Sequence, residues 1–238
     1  MNILIPFRNT GSQEELKMAI ELILSNYKVP FKYIYIVGDT IDFDNENVKN
    51  IIIEEKIYNK WLDCNFLIEK YINNVCSDQP FLLFNDDFFI TDIVCQYKTN
   101  FYCGTLQERL EKTYVLDYKM KVVRISDYGL NIKSCIAKNG NIINGELHLP
   151  MYIDKPTLML DVIKQCNSEN YPAMRRSVYL LKRGKNNIQE VTSDVKFSEP
   201  HFTLKKPYFS LTNDQFEFFK DELKASIKKD NKEKINNI

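Results

Sequence analysis

The apolar positions of the first hundred residues switch between two periods. Asn2 to Phe7 is a short continuous apolar run, the signature of a strand buried on both faces. Asn9-Thr10-Gly11 reads as a turn. Ser12 then stands three residues ahead of Glu15, the spacing of a capping box, and Leu16, Ala19, Ile20, Ile23 and Leu24 follow at helical intervals. Lys32 to Val37 predicts a second strand, closed by Gly38-Asp39, and Val48 to Glu54 a third. Asn59 to Cys76 predicts a helix with Leu62, Phe66, Tyr71, Ile72 and Val75 on its apolar side. Phe81 to Phe84 is the next strand. Strand–helix alternation with buried strands predicts an α/β fold, a mostly parallel sheet flanked by helices.

Beyond Asn100 the pattern is less regular. Met120 to Ile125 and Gly129 to Ile136 read as strands, and Asn139-Gly140 as a hairpin turn. Asp154 is placed to cap a helix that runs to about Cys166, with Pro156 in its first turn. Glu190 to Phe197 predicts another strand. Thr212 and Gln215 form a second capping box, opening a helix with Phe216, Phe219, Leu223 and Ile227 on one stripe. The charged end, Lys228 to Ile238, is expected to fray.

The most informative stretch is Asn85-Asp86-Asp87, set between Phe81-Leu82-Leu83-Phe84 and Phe88-Phe89-Ile90. Two adjacent carboxylates fall at the carboxyl end of a buried strand, the edge where ligands bind in open α/β sheets. Like charges packed side by side need a cation or hydrogen-bond donors to compensate them, and a divalent metal carrying a phosphate ligand is one such partner. The competing reading is that the pair caps a turn or starts a helix.

Composition narrows the classes. The 238 residues suffice for one substantial core, and 44% hydrophobic with 27% charged content is ordinary for a globular protein. A formal net charge of zero argues against a protein that coats polyanions, so any nucleic-acid contact must come from a local patch. Met1 leads straight into Asn2-Ile3-Leu4-Ile5-Pro6 without a basic leader, and no apolar run is long enough to span a bilayer, so no secretory signal and no membrane insertion are expected. Six cysteines (Cys64, Cys76, Cys95, Cys103, Cys135, Cys166) without a Cys-x-x-Cys pair read as free thiols in a cytoplasmic protein. With seven glycines, and no P-loop or Gly-x-Gly-x-x-Gly, the phosphate-loop NTPase and dinucleotide readings lose their support.

Four polar groups lie at predicted strand ends: Pro6-Phe7-Arg8, Gly38-Asp39, Tyr58-Asn59-Lys60 and Asn85-Asp86-Asp87. On a parallel sheet they converge on one rim suited to a nucleoside diphosphate. Arg8 or Lys60 would neutralise phosphate, and Asp39 would accept from a ribose or base. Taken singly, each is an ordinary loop charge. Of the two histidines, His148 carries more weight, since an imidazole completes a metal site otherwise held by carboxylates, and His201 reads as an ordinary loop residue. Arg175-Arg176-Ser177-Val178-Tyr179 and Asp194-Val195-Lys196 form either a surface ion-pair patch or contacts to sugar, phosphate or acceptor.

With these residues in view, the chain resembles nucleotide-sugar glycosyltransferases of the GT-A fold, in particular small phage- and bacteria-encoded members related to Stealth-type polysaccharide enzymes. The resemblance rests on Ile5-Pro6-Phe7-Arg8 with Gly11-Ser12 and Glu15-Leu16, on Ile36-Val37-Gly38-Asp39, and on Lys60 with Asn65 ahead of Phe84-Asn85-Asp86-Asp87-Phe88-Phe89. His148-Leu149-Pro150, Arg175, Arg176, Tyr179 and Asp194-Val195-Lys196 complete it. It implies a Rossmann-like nucleotide-sugar-binding half at 1–100, an acceptor-side half of the same domain at 101–211, and a C-terminal helix and tail at 212–238. It also implies that Asn85-Asp86-Asp87 stands in for the Asp-x-Asp element, with Asp87 the metal ligand. Asn85 in the first position leaves Asp86 to face ribose or donor sugar. His148 would be a second metal ligand or an acceptor contact. Pro6, Arg8, Asp39, Lys60, Asn65, Asn85 and Asp86 would bind the nucleotide sugar, and Arg175, Arg176, Tyr179 and Lys196 the acceptor.

The implied activity is a Mn²⁺- or Mg²⁺-dependent transfer of a sugar, from a UDP-sugar by expectation, to an acceptor hydroxyl. Asp194, Glu146 and Asp154 are the candidate bases for an inverting reaction. The acceptor is either a surface glycan or a hydroxymethylated base in phage DNA, for which Lys182, Arg183, Lys185, Lys205 and Lys206 would supply a basic patch. A sugar-phosphate transferase of the Stealth kind and a non-catalytic binding module are the rival readings.

Overall fold

The computed structural model describes residues 1–10, 13–76, 78–94, 99–116, 122–184, 186–196 and 208–235. The first half follows the predicted alternation: β1 (Asn2–Phe7), α1 (Glu14–Asn26), β2 (Ile34–Gly38), β3 (Val48–Ile52), α2 (Lys60–Tyr71) and β4 (Phe81–Leu83). Asn59 caps α2, its side chain accepting from the amides of Trp61 and Leu62, and the helix leaves through a wider π-type turn at Ile72–Cys76. Then come β5 (Phe88–Ile90), β6 (Asn100–Tyr102), α3 (Leu106–Glu111), β7 (Tyr114–Leu116), β8 (Val122–Ile125) and α4 (Asp127–Asn139). The chain continues through β9 (Met151–Ile153), α5 (Pro156–Ser168), α6 (Arg175–Arg183), β10 (Ile188–Glu190), β11 (Tyr208–Ser210) and α7 (Asn213–Ile235).

The central sheet has the order β3-β2-β1-β4-β9, parallel throughout except for the antiparallel edge strand β9. Alternating residues of its strands feed two cores, as the period of a strand requires. Leu4, Val37, Phe81 and Leu83 face one cluster with residues of α2, α4, α5 and α6. Ile3, Ile5, Ile34, Ile36, Leu82 and Phe84 face another with α1. A third cluster joins α1 to Phe89, Phe209 and the Phe216–Phe219–Leu223 stripe of α7, the stripe expected from the sequence, with Ile227 packed at its edge.

Several expectations are corrected. Residues 129–136 are helical, not a strand: Ser126 caps α4 by accepting from the Gly129 amide (3.1 Å). Gly129 is needed there because a Cβ would lie 2.3 Å from the Thr113 hydroxyl oxygen. Asn139-Gly140 is the end of that helix, with Gly140 at φ 75°, rather than a hairpin. Lys155, not Asp154, occupies the cap position of α5, while Pro156 does sit in its first turn. The strand expected from Glu190 is Ile188–Glu190, paired with β6. Residues Ser12, Met120, Lys185, Phe197, His201, Lys205, Lys206 and Cys95 lie outside the described residues. No helix among the described residues is long and apolar enough to cross a membrane.

Candidate functional site

The carboxyl ends of β1, β2 and β4 do meet. Gly38 ends β2 at φ +126°, and a Cβ there would stand 2.2 Å from the Phe7 carbonyl oxygen, so only glycine lets the two strand ends close up. The Asp39 amide then donates to that carbonyl (3.0 Å). Arg8 fills the gap beneath. Its Nε and Nη2 grip Asp63 (2.8 and 3.0 Å), Nη1 reaches Asp39 (3.3 Å) and the Ile53 carbonyl (2.6 Å), and Nη2 also reaches the Glu55 carbonyl (2.5 Å). All five guanidinium N–H groups are thereby occupied, which leaves none for a phosphate. Arg8 is a staple between β1, β2 and α2. Asp39 is likewise engaged, by Arg8, Lys56 and the Asn9 amide.

Beyond Leu83 come Asp86 and Asp87, fixed from both sides by aromatic anchors. Phe88 packs on Phe84 (ring centroids 5.5 Å apart), while Phe89 stacks on Phe209 and Phe216 (5.7 and 5.9 Å). β11 pairs antiparallel with β5, Ser210 opposite Phe88, which brings Ser210 and its bridge partner Lys196 to Asp87. Asp87 Oδ2 accepts from Lys196 Nζ (2.9 Å) and Ser210 Oγ (2.8 Å). Its Oδ1 is buried with no hydrogen-bond partner among the described residues, an acceptor awaiting a positive group. Glu15 lies on the same side. Burial, then Asp87 and Asp86, push its carboxyl up to about 7. Burial and Asp87 push Asp86 up to about 6. These three acids, with Arg8, Lys196 and Thr212, line a cavity of about 420 Å³.

On the other side of the pair stands His148. In the antiparallel β4–β9 register Leu83 faces Met151, so continuing it three positions sets Asp86 opposite His148. The ladder itself stops at Leu83, and a buried guanidinium takes over. Arg176, 3% exposed, donates to the carbonyls of Leu147 and Leu149 (both 2.5 Å) and to Asn85 Oδ1 (2.9 Å). It clamps the backbone on each side of His148 and ties it to the residue before Asp86.

His148 Nδ1 lies 2.7 Å from Asp194 Oδ2, and the His148 and Val195 amides donate to Asp194 Oδ1 (2.9 and 2.7 Å). Burial opposes the Asp194 charge, but the His148 contacts and these amides outweigh it and hold the carboxyl below its usual range. An ionised Asp194 fixes the proton on Nδ1 and leaves Nε2 as a lone pair, the orientation of a histidine base. His148, Asp86, Asp87, Asn85, Pro6 and Arg175 together line a cavity of about 230 Å³. Arg175 donates to Cys64 Sγ (3.1 Å), and its Nε has no hydrogen-bond partner among the described residues. A further cavity of about 300 Å³ joins His148 and Arg175 to Lys60, Trp61, Arg109 and Tyr128. There the exposed Lys60 lies over the Trp61 ring (5.0 Å) and Arg109 over Tyr128 (5.7 Å).

Glu146 lies between Arg175 and Ser177, whose amide donates to its Oε1 (2.8 Å), and burial raises its proton affinity. Three expected residues are elsewhere. Asn65 is fully buried, donating to Asn167 (2.7 Å) and the Pro172 carbonyl (3.0 Å), and it joins α2 to the segment behind α5. Tyr179 is fully buried and donates to Asp154 (2.7 Å), which also holds Arg183 Nε (2.7 Å). Neither Tyr179 nor Asp154 lines the cavities at the carboxylate pair. Sequence reasoning gave no part in the site to Asp63, Trp61, Arg109, Tyr128 or Ser210, and read Glu15 first as a helix cap. Among the described residues no three His, Cys, Asp or Glu side chains gather as a ready metal cage. No protein-family model matches the chain, and no curated protein matches it.

Proposed function

We propose that this chain is a metal-dependent transferase of GT-A type. It would move a sugar from a nucleoside diphosphate donor to an acceptor hydroxyl. The observation that carries the reading is the pairing, across one cavity, of Asp86–Asp87 with an Asp194-oriented His148 and the incompletely partnered Arg175. A divalent cation fits this donor set. Asp87 Oδ1 is buried without a hydrogen-bond partner among the described residues, and Asp86 is held near neutrality for want of positive charge. With only two carboxylates at hand, Mn²⁺ or Mg²⁺ would complete its shell with donor phosphates and water, the usual habit of a hard, octahedral ion. Bound there, the ion would stabilise charge on the departing diphosphate.

The chain's own residues supply the rest. Arg175 sits where leaving-group charge would develop, and Lys196, anchored on Asp87, adds a second cation at the same edge. His148 Nε2 takes the proton from the acceptor hydroxyl, while Asp194, one of the expected bases, positions the imidazole and stabilises its charge instead of meeting substrate. Arg176, expected at the acceptor, is a positioning residue for the His148 segment. Trp61 and Tyr128 offer ring faces for a base or sugar.

The test is a donor screen: incubation with Mn²⁺ and a panel of nucleotide sugars, following release of free nucleotide. Metal-dependent release that is lost in Asp87→Asn supports the reading. A protein that hydrolyses no donor on the panel, or does so equally well without metal, refutes it. Because His148 and Arg175 share the cavity of the carboxylate pair, a sugar-phosphate transfer is the second reading. Nucleoside monophosphate as product selects it, diphosphate the first.

A further inference from the structure

The widest described cavity lies on the far side of the His148–Asp194 pair. It measures about 910 Å³ and is enclosed by the α3 region, the Asn144–Leu147 segment and the loop from Glu190 to Asp194. It shares Arg109, Glu146 and Leu147 with the cavity that holds His148, so the two form one continuous hollow around the base. Their charges differ. The His148 side presents Lys60, Arg109, Arg175 and Arg176 against Glu146 alone. The wider side presents Glu108, Glu111, Glu146, Glu190 and Asp194 against Arg109 and Lys112.

We propose that this wider hollow receives the acceptor, and that the acceptor is a saccharide carrying no acidic groups. The proposal rests on the transferase reading above and narrows it. A cavity of this size encloses a ligand of a few sugar rings. Carboxylates that rim it accept hydrogen bonds from sugar hydroxyls, and more strongly from an ammonium group. Thr192 and Ser193 add exposed hydroxyls, and Leu147 and Val191 add apolar surface for a ring face. A modified base in duplex DNA is the poorer fit. It would have to be flipped out of its helix, and its flanking phosphates would meet a rim in which acids outnumber bases. Nucleic-acid binders present the opposite charge at that edge.

The test is calorimetric titration of the full chain at low salt with four probes: a short chitin oligomer, the matching chitosan oligomer, an oligogalacturonate and a short DNA duplex. The expected order is chitosan tighter than chitin, with no measurable binding of oligogalacturonate or DNA. The exposed pair Glu111→Gln and Glu190→Gln should weaken chitosan binding about tenfold, the loss of one charge-assisted contact. Three results overturn the proposal: no saccharide binds, an acidic probe binds as tightly as chitin, or the double variant is unchanged. The donor screen keeps the two readings apart. Saccharide binding without donor turnover defeats the transferase but leaves the ligand class of the hollow. Donor turnover accelerated by DNA defeats the ligand class but leaves the transferase.

Discussion

Replacing Arg176 by methionine removes the clamp around His148 while keeping a buried stem of similar length. The native guanidinium donates to two buried carbonyls, of Leu147 and Leu149, and to Asn85. A hydrogen bond to a charged group contributes about 1.5–3 kcal/mol, and each buried carbonyl stripped of its donor costs about 1–3 kcal/mol. The removed charge returns some desolvation energy, so the net loss should be about 3–5 kcal/mol. For a domain of this size, each kcal/mol lowers Tm by about 2–4 °C. Arg176→Met should therefore melt about 10 °C below the parent in a calorimetric scan. It should also lose metal-dependent nucleotide release, because His148 is no longer held opposite Asp86. Arg176→Lys, which restores one donor, should recover part of the stability. If Arg176→Met melts within about 2 °C of the parent and still releases nucleotide, the clamp has no such role.

Asp87→Asn should abolish metal-dependent turnover while lowering Tm by no more than about 3 °C, since the amide oxygen still accepts from Lys196 and Ser210. An active Asp87→Asn protein would contradict the metal assignment. Asp194→Asn should cut kcat about 10²–10⁴-fold and erase the acidic limb of the pH profile, with Tm changed little; an unaltered profile would remove His148 as the base. Stability should fall as pH rises from about 4 to about 7. Glu15 and Asp86 bind protons more tightly folded, near 7 and 6, than at their ordinary values of 4.5 and 3.8. Below that window both states are protonated and the contribution is fully present; above it, it is gone. Glu15→Gln should flatten the decline in urea unfolding across the window, and an unchanged slope would mean that Glu15 is not the buried acid. Gly38→Ala should be strongly destabilising, because the new methyl meets the Phe7 carbonyl; a near-parental Tm would show that the strand ends can part.

The sheet was legible because buried strands and amphipathic helices write their periods directly into residues 2–83, and Asp86–Asp87 announced the rim by its apolar flanks. What stayed hidden depends on partners distant in sequence. That Arg8 is saturated follows from Asp63, 55 residues on, and from two carbonyls no pattern reveals. Asn65 was read as a ligand contact, yet its amide is satisfied 102 and 107 residues away. Asp154 looked like a helix cap because a carboxylate before Lys-Pro usually is one, but Tyr179 and Arg183 compete for it successfully. Residues 129–136 misled through Leu130, Ile132 and a leading glycine. Close packing on Thr113 requires that glycine, and Ile132 and Cys135 point into the core one helical turn apart. His148 and Asp194 were each singled out, but their union was visible only once the fold joined them.

The antiparallel run of β4 against β9 behaves like a pair of calipers. Its hinge is the Leu83–Met151 rung, and its jaws are arms of equal length that end at Asp86 and His148. Adding or deleting one residue in either arm would swing one tip to the opposite face of the sheet. Loop length, usually the most tolerant property of a protein surface, is at these two places as constrained as side-chain identity.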